Sequence, residues 1–344
     1  MQQIAEQVAA DGTPDPEPAR RPAAEQSATG AGERLRRTLA AAGAPIVLIA
    51  LIVVFSLLRP ETFPTTANLT TILSTQSILV ILALGTLVPL IAGDFDLSIG
   101  FVMGFAAMES ALLTVHGMAI PLAIAITLAT GVAIGLFNGL VVEKVGVSAF
   151  IATLAVGSIL AGFTTWISGG TVVNGVPAGM IDLGRTEVIG LQLPILYMAL
   201  LVGVFYYALG HTPVGRYLYA VGGGRAAARL AGINTGRLRI LAFVVSATTA
   251  ALAGVVNTTV VGSASADFGS SYLLPAFAGA FLGATTIQPG RFNVLGTVVA
   301  IFLLAVGIAG LQQLSAPFWI PPVFNGGALL IAVGLAVWRQ PRDA

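Results

Sequence analysis

The sequence predicts an all-α integral membrane protein with about ten transmembrane helices and both termini in the cytoplasm. Three observations carry this prediction: a composition too apolar for a soluble domain, a succession of apolar stretches of spanning length, and a one-sided distribution of basic residues. The 344-residue chain is 56% hydrophobic and 9% charged, whereas soluble domains are about one quarter charged. A net charge of +1 offers no field for nucleic acid. The absence of cysteine removes disulfides, a thiol nucleophile and thiolate metal ligands. The two histidines, His116 and His211, are far apart in sequence and do not suggest a metal site. No catalytic constellation, metal or cofactor is therefore expected on this chain.

Residues 1–40 are polar, with six acidic and five basic side chains and no apolar period. They read as a disordered cytoplasmic tail, and not as a signal peptide, because no apolar core follows the start. The membrane domain is expected over 43–338. Its spans fall near 43–58, 69–91, 97–115, 119–142, 148–167, 192–209, 240–262, 272–287, 293–312 and 322–338, against a requirement of roughly 20 apolar residues each. The first is short. The eighth is short and interrupted by Pro275, so a tilted, broken or re-entrant helix is expected there.

Basic residues concentrate on the cytoplasmic side of membranes. Alternating the spans from a cytoplasmic N-terminus puts 14 of the 16 basic residues on that side and leaves only Arg59 and Arg185 outside. A miscount by one span would scramble this partition.

Two polar connections stand out. The outer one, about 168–191, is expected to fold as a short helix and turn over the outer mouth, either as a plain connector or as a contact for an external partner. The inner one, Thr212–Arg239, carries Arg216, Arg225, Arg229, Arg237 and Arg239. Five arginines would cost roughly 12 kcal/mol or more inside a bilayer, so the segment lies in water. Its middle reads as a short amphipathic helix, with Arg225 and Arg229 on one face and Ala226, Leu230 and Ile233 on another. Gly222, Gly223 and Gly224 give a pliable lead-in, and Gly232 is placed to end the helix. Such a segment fits two roles, a solvated connector that fixes orientation or a docking element for a soluble partner.

Glycines recur at four-residue spacing at Gly100 and Gly104, at Gly131, Gly135 and Gly139, and at Gly279 and Gly283. This spacing suits close helix packing. Polar residues within or beside spans are the candidates for a translocation pathway. Asp94, Asp96 and Ser98 form a turn between two apolar runs, either capping the third span or lining a gate. Glu109 lies deep in the third span. Asn138 ends the fourth, bridging helices or contacting substrate. Gln76 is the most polar member of the Ser74–Ser77 cluster in the second span. The single lysine, Lys144, follows Glu143, and no Gly-Lys-Ser/Thr phosphate loop exists. Any ATP that powers this protein is bound by another chain.

Three stretches together resemble one family, the membrane-spanning permease subunit of bacterial ABC importers of the ribose/xylose monosaccharide type. The first is Gly93-Asp94-Phe95-Asp96-Leu97-Ser98-Ile99-Gly100. The second is Phe137-Asn138-Gly139-Leu140 followed by Phe150-Ile151-Ala152-Thr153-Leu154. The third is Val214-Gly215-Arg216, Tyr219-Ala220-Val221-Gly222-Gly223 and Ala226-Ala227-Ala228-Arg229-Leu230-Ala231-Gly232-Ile233. The resemblance covers about 45–338. Ala149 stands where the family usually has proline, and the stretch Ala280–Thr286 lacks the Gly-Gly pair of many members.

The resemblance implies a multi-pass protein of the bacterial inner membrane that is a transporter subunit and not an enzyme. It implies a cytoplasmic ABC ATPase that binds the ATP, an external sugar-binding protein, and a second permease copy, identical or similar. It makes 212–239 the coupling element, with Gly215, Arg216, Gly222, Arg225, Ala226, Ala227, Arg229 and Gly232 toward the ATPase. The alternative from the residues alone is a proton-coupled secondary transporter with Glu109 as the carrier.

Overall fold

A computed structural model describes residues 42–338. The tail expected over 1–40 lies outside the described residues. Thirteen helices follow one another within the described chain. They are α1 (Ala42–Leu58), α2 (Thr66–Ile91), α3 (Ile99–Val115), α4 (Ile120–Leu140), α5 (Ala149–Ser168), α6 (Ala178–Arg185), α7 (Leu193–His211), α8 (Pro213–Gly223), α9 (Arg225–Leu230), α10 (Thr235–Val261), α11 (Ser270–Gly283), α12 (Val294–Gln313) and α13 (Ile320–Trp338). A π-helical turn, Val141–Val145, prolongs α4. A small antiparallel hairpin, β1 (Glu187–Val188) and β2 (Leu191–Gln192), precedes α7.

Six helices are long and apolar enough to cross a membrane: α2, α4 with its π turn, α5, α7, α10 and α12. Four shorter apolar helices accompany them: α1, α3, α11 and the stretch Ile320–Gly334 of α13. Each falls on a predicted span. The largest boundary difference is at α10, which begins at Thr235 and not near 240, because Asn234 caps it by accepting a hydrogen bond from the Arg237 N–H at 3.0 Å. Arg237 and Arg239 are therefore helical. The outer connection holds the expected short helix, α6, and also a hairpin that turns through Ile189 and Gly190, both at positive φ.

The core is built around α10, which packs on α2, α3, α4 and α6. Its buried face is mostly small, including Ala247, Ala250, Ala251 and Gly254, so neighbouring backbones come close. The α4 glycines are on this contact. A Cβ built on Gly135 would lie 2.5 Å from the Phe243 carbonyl oxygen, and one on Gly131 would lie 2.7 Å from the Ala251 Cβ. The other glycine pairs also meet helices, Gly100 and Gly104 at the start of α11 and Gly279 and Gly283 at α12. The stripes are contacts between helices of this one chain. From Ser77 to Ile91, α2 is buried on every side, which is why its sequence is apolar all round and has no helical period. The apolar faces of α4, α5 and α7 turn outward, with Leu136, Phe163 and Leu200 exposed. A bilayer covers such a surface.

Candidate functional site

The polar segment and the turn 92–98 form one assembly. Helix α2 ends in a Schellman motif: the Gly93 N–H reaches the Leu90 carbonyl (3.1 Å), and the Asp94 N–H reaches that of Pro89 (2.9 Å). Gly93 takes φ +80°, where a side chain is disfavoured. This sharp stop delivers the Asp94 carboxylate just beyond the helix end, with its side chain 6% exposed.

Two arginines converge on it. Arg239 grips Asp94 through two prongs, Nε to Oδ2 at 2.7 Å and Nη2 to Oδ1 at 2.9 Å. Its Nη1 donates to Glu143 Oε2 at 2.5 Å. Arg225 donates from Nη2 to Asp94 Oδ1 at 2.7 Å and to the Gly93 carbonyl at 3.2 Å. Fork-shaped pairing of this kind is both stronger and more directional than a single bond. Glu143 comes from the π turn after α4, which closes at Gly146 with φ +83°. The hub thus ties α9, α10, the end of α2 and the π turn together.

The segment itself contains two helices, not one. Gly222 and Gly223 end α8, and Gly224 breaks the chain before α9. The expected lead-in is thus the C-terminus of another helix, because Thr212 caps α8 and Pro213 starts it. Gly222 packs so tightly that a Cβ there would overlap the Ile91 carbonyl oxygen, and a Cβ on Gly215 would overlap that of Leu209. Gly232 ends α9 as expected, with φ +80° and the Ile233 N–H bonded to the Ala228 carbonyl at 3.0 Å.

A second tie joins α8 to the turn before α12. The Tyr219 hydroxyl donates to the Phe292 carbonyl at 2.6 Å, and the Arg291 guanidinium lies 3.5 Å above the Tyr219 ring. Burial pushes the Tyr219 phenol above its ordinary pKa, while Arg291 pulls it down. Nothing in the sequence spacing announces this contact, since 73 residues separate its ends.

The outward face of the segment is not covered by the other described residues. Arg216, Arg229 and Arg237 make no ion pair among the described residues. Arg229 reaches only the Thr235 hydroxyl, at 3.3 and 3.4 Å. Ala226 and Ala227 are exposed, and Leu230 is 92% exposed on the face predicted to be apolar.

The six pathway candidates separate. Asp96, Ser98 and Asn138 form a buried relay: Asp96 accepts from the Ser98 hydroxyl at 2.6 Å and from Ser246 at 2.7 Å, and the Asn138 amide donates to Ser98 at 2.9 Å. Ser98 occupies the N-cap position of α3 without a capping bond. Asp94 belongs to the ion-pair hub. Glu109 accepts from Thr130 at 2.9 Å, joining α3 to α4. Gln76 lines a cavity of about 500 Å³ with both polar and apolar walls, between α2, α11, α12 and α13. No other member of the six reaches that cavity.

Comparison with known proteins decides the family. The model for "Branched-chain amino acid transport system / permease component" matches residues 68–333. This chain belongs to that permease family. The ribose import permease protein RbsC of Haemophilus influenzae is 34% identical, over 84% of this chain and 90% of its own. The corresponding protein of Bacillus subtilis is 31% identical, over 83% and 89%. The D-allose transport system permease protein of Escherichia coli is 29% identical, over 85% and 90%. No solved structure matches the chain. As a member of this family the chain is a multi-pass membrane protein and a transporter component, not an enzyme.

Proposed function

We propose that this chain is the membrane-spanning subunit of an ATP-driven importer of a monosaccharide. It crosses the bacterial inner membrane ten times with both termini in the cytoplasm, and residues 212–239 couple it to a separate cytoplasmic ATPase that binds the ATP. An external sugar-binding protein delivers the substrate, and a second permease copy completes the pathway. The relatives named for ribose and allose support a neutral aldose, and their names as import permeases give no support to the proton-coupled alternative.

The observation that carries the coupling role is the two-sided character of α8 and α9. One side is fastened to the membrane helices through Asp94, Ile91 and Phe292. The other presents Arg216, Arg229 and Leu230 to water. A soluble partner that pushes on the open side moves α2 and α10 through the fastened side.

The test is ATP-dependent D-ribose uptake in proteoliposomes containing the chain, its ATPase and its binding protein. Arg229→Glu and Leu230→Asp change exposed side chains and are expected to abolish uptake while the permease still inserts. Uptake driven by a proton gradient alone, untouched by either change, would refute the proposal.

A further inference from the structure

We infer that the cavity between α2, α11, α12 and α13 is a binding site for a neutral polyol at the outer half of the membrane domain. This rests on the importer reading for which side is outer.

The cavity is open on one side and holds about 500 Å³, inside the roughly 300–1,000 Å³ range of small-molecule sites. One wall is a stripe on α2 formed by Asn68, Thr71, Thr75 and Gln76. Their spacing places them on one helix face. Facing them are Tyr272 from α11, Gln312 from α12 and Asn325 from α13. Apart from the Tyr272 phenol, no lining side chain is ionisable. An uncharged wall gives no partner to a phosphate, carboxylate or ammonium ion, whose transfer out of water it would leave uncompensated. It does suit hydroxyl groups, since each amide offers two donors and an acceptor.

The hydrogen-bonding capacity is free. Gln76, Gln312 and Asn325 make no side-chain hydrogen bond among the described residues, whereas Asp96, Ser98, Asn138 and Ser246 are bonded to one another. Thr71 and Thr75 donate back to their own helix, at 2.7 and 2.8 Å, which leaves their oxygens able to accept. The rim is preset: Gln313 donates to Asn68 at 3.0 Å and accepts from Thr62 at 2.9 Å. The inner wall is apolar, with Leu79, Pro275, Ile301 and Leu304. A sugar has the same two-sided character, hydroxyl edges around a C–H face. Inward of Leu79, α2 is buried on all sides, so the cavity is closed toward the cytoplasmic end. In the proposed topology the N-termini of α2, α11 and α13 and the C-terminus of α12 all lie outside, so the cavity opens to the side from which a binding protein delivers substrate.

The natural chain has no cysteine, so Gln76→Cys creates a unique thiol. In membrane vesicles with the outer face exposed, a membrane-impermeant maleimide should react at position 76, and excess D-ribose should slow that reaction about tenfold. Glu187→Cys, on the exposed hairpin, should react without protection. In the reconstituted importer, Gln76→Leu and Asn325→Leu should each lower ribose uptake about tenfold, the equivalent of one lost hydrogen bond, in protein that inserts at the wild-type level. Uptake at the wild-type level in both variants, or labelling at position 76 that D-ribose does not slow, overturns the site and leaves the importer reading intact. If wild-type uptake needs no ATP, the importer reading fails, and the cavity is judged by protection of Gln76→Cys alone.

Discussion

Asp94→Ala tests the proposed coupling assembly most directly, because one carboxylate holds two arginines. The Arg225 side chain is 41% exposed, so its share is that of a surface pair, about 0.2–1 kcal/mol. The Arg239 side chain is 11% exposed and loses a two-pronged contact. Removing one partner of a buried pair costs about 3–5 kcal/mol. Glu143 remains on Nη1, which places the loss near the lower end, about 3 kcal/mol. That raises the undocked population of the segment on the order of 100-fold. Hydrogen exchange of amides 214–233 in nanodiscs reads this opening, and uptake per ATP hydrolysed reads its consequence. Glu143→Ala alone should cost less. The double variant should cost more than the sum of the singles, because only then does Arg239 lose every carboxylate. Exchange rates that move less than about threefold in a folded Asp94→Ala protein would sink the argument, since the hub would then not hold the segment.

Four further outcomes follow from the same geometry. Gly222→Ala forces a Cβ into the Ile91 carbonyl, an overpacking that costs about 1–3 kcal/mol or more; ATP hydrolysis should continue while uptake falls. Gly236→Ala places a Cβ 2.5 Å from Glu143 Oε1 and should push that carboxylate off Arg239, raising exchange in the first turn of α10. Tyr219→Phe leaves the Phe292 carbonyl without its donor and should lower thermal stability by about 1–3 kcal/mol, while Arg291 keeps its aromatic partner. Glu109→Gln preserves a group that can accept from Thr130 and should leave sugar uptake at the wild-type level; a collapse of uptake would restore a proton-carrying role to this residue.

The apolar helices were legible because a bilayer imposes length and composition on each span independently of its neighbours. The boundary of α10 was less so, since its first turn carries Arg237 and Arg239 and reads as loop by hydropathy. Their place in a helix depends on the Asn234 cap and on carboxylates supplied from elsewhere. The arginines of the inner segment were visible as a group. Their partners were not, because Asp94 lies 131 and 145 residues from Arg225 and Arg239. Glu143 carried no signal beyond its position beside the only lysine. The turn at 93–98 read as a single polar feature, yet it divides. Asp94 points to the arginines, while Asp96 closes a buried network with Ser98 and Ser246. Two neighbouring carboxylates with opposite orientation cannot be told apart by spacing.

The three attachments of the polar segment differ in kind, and the difference bears on how force passes into the membrane. Gly222 meets Ile91 by backbone contact, which resists compression but not separation. The Asp94 hub resists separation, because pulling Arg239 away exposes a buried pair. The Tyr219–Phe292 bond fixes the segment to the α11–α12 turn and limits sliding. Together the first two hold the end of α2 against motion in either direction. That same helix carries Gln76 at its other half, about 22 Å away at 1.5 Å per residue. Between the two positions α2 is buried on every side, so its packed neighbours oppose bending, and under the proposed coupling a displacement at Ile91 would pass along the helix to the wall of the cavity. The proposed coupling surface and the proposed polyol site lie at the two ends of one helix. A change of angle of α2 against α11 and α12 therefore alters the width of the cavity between them.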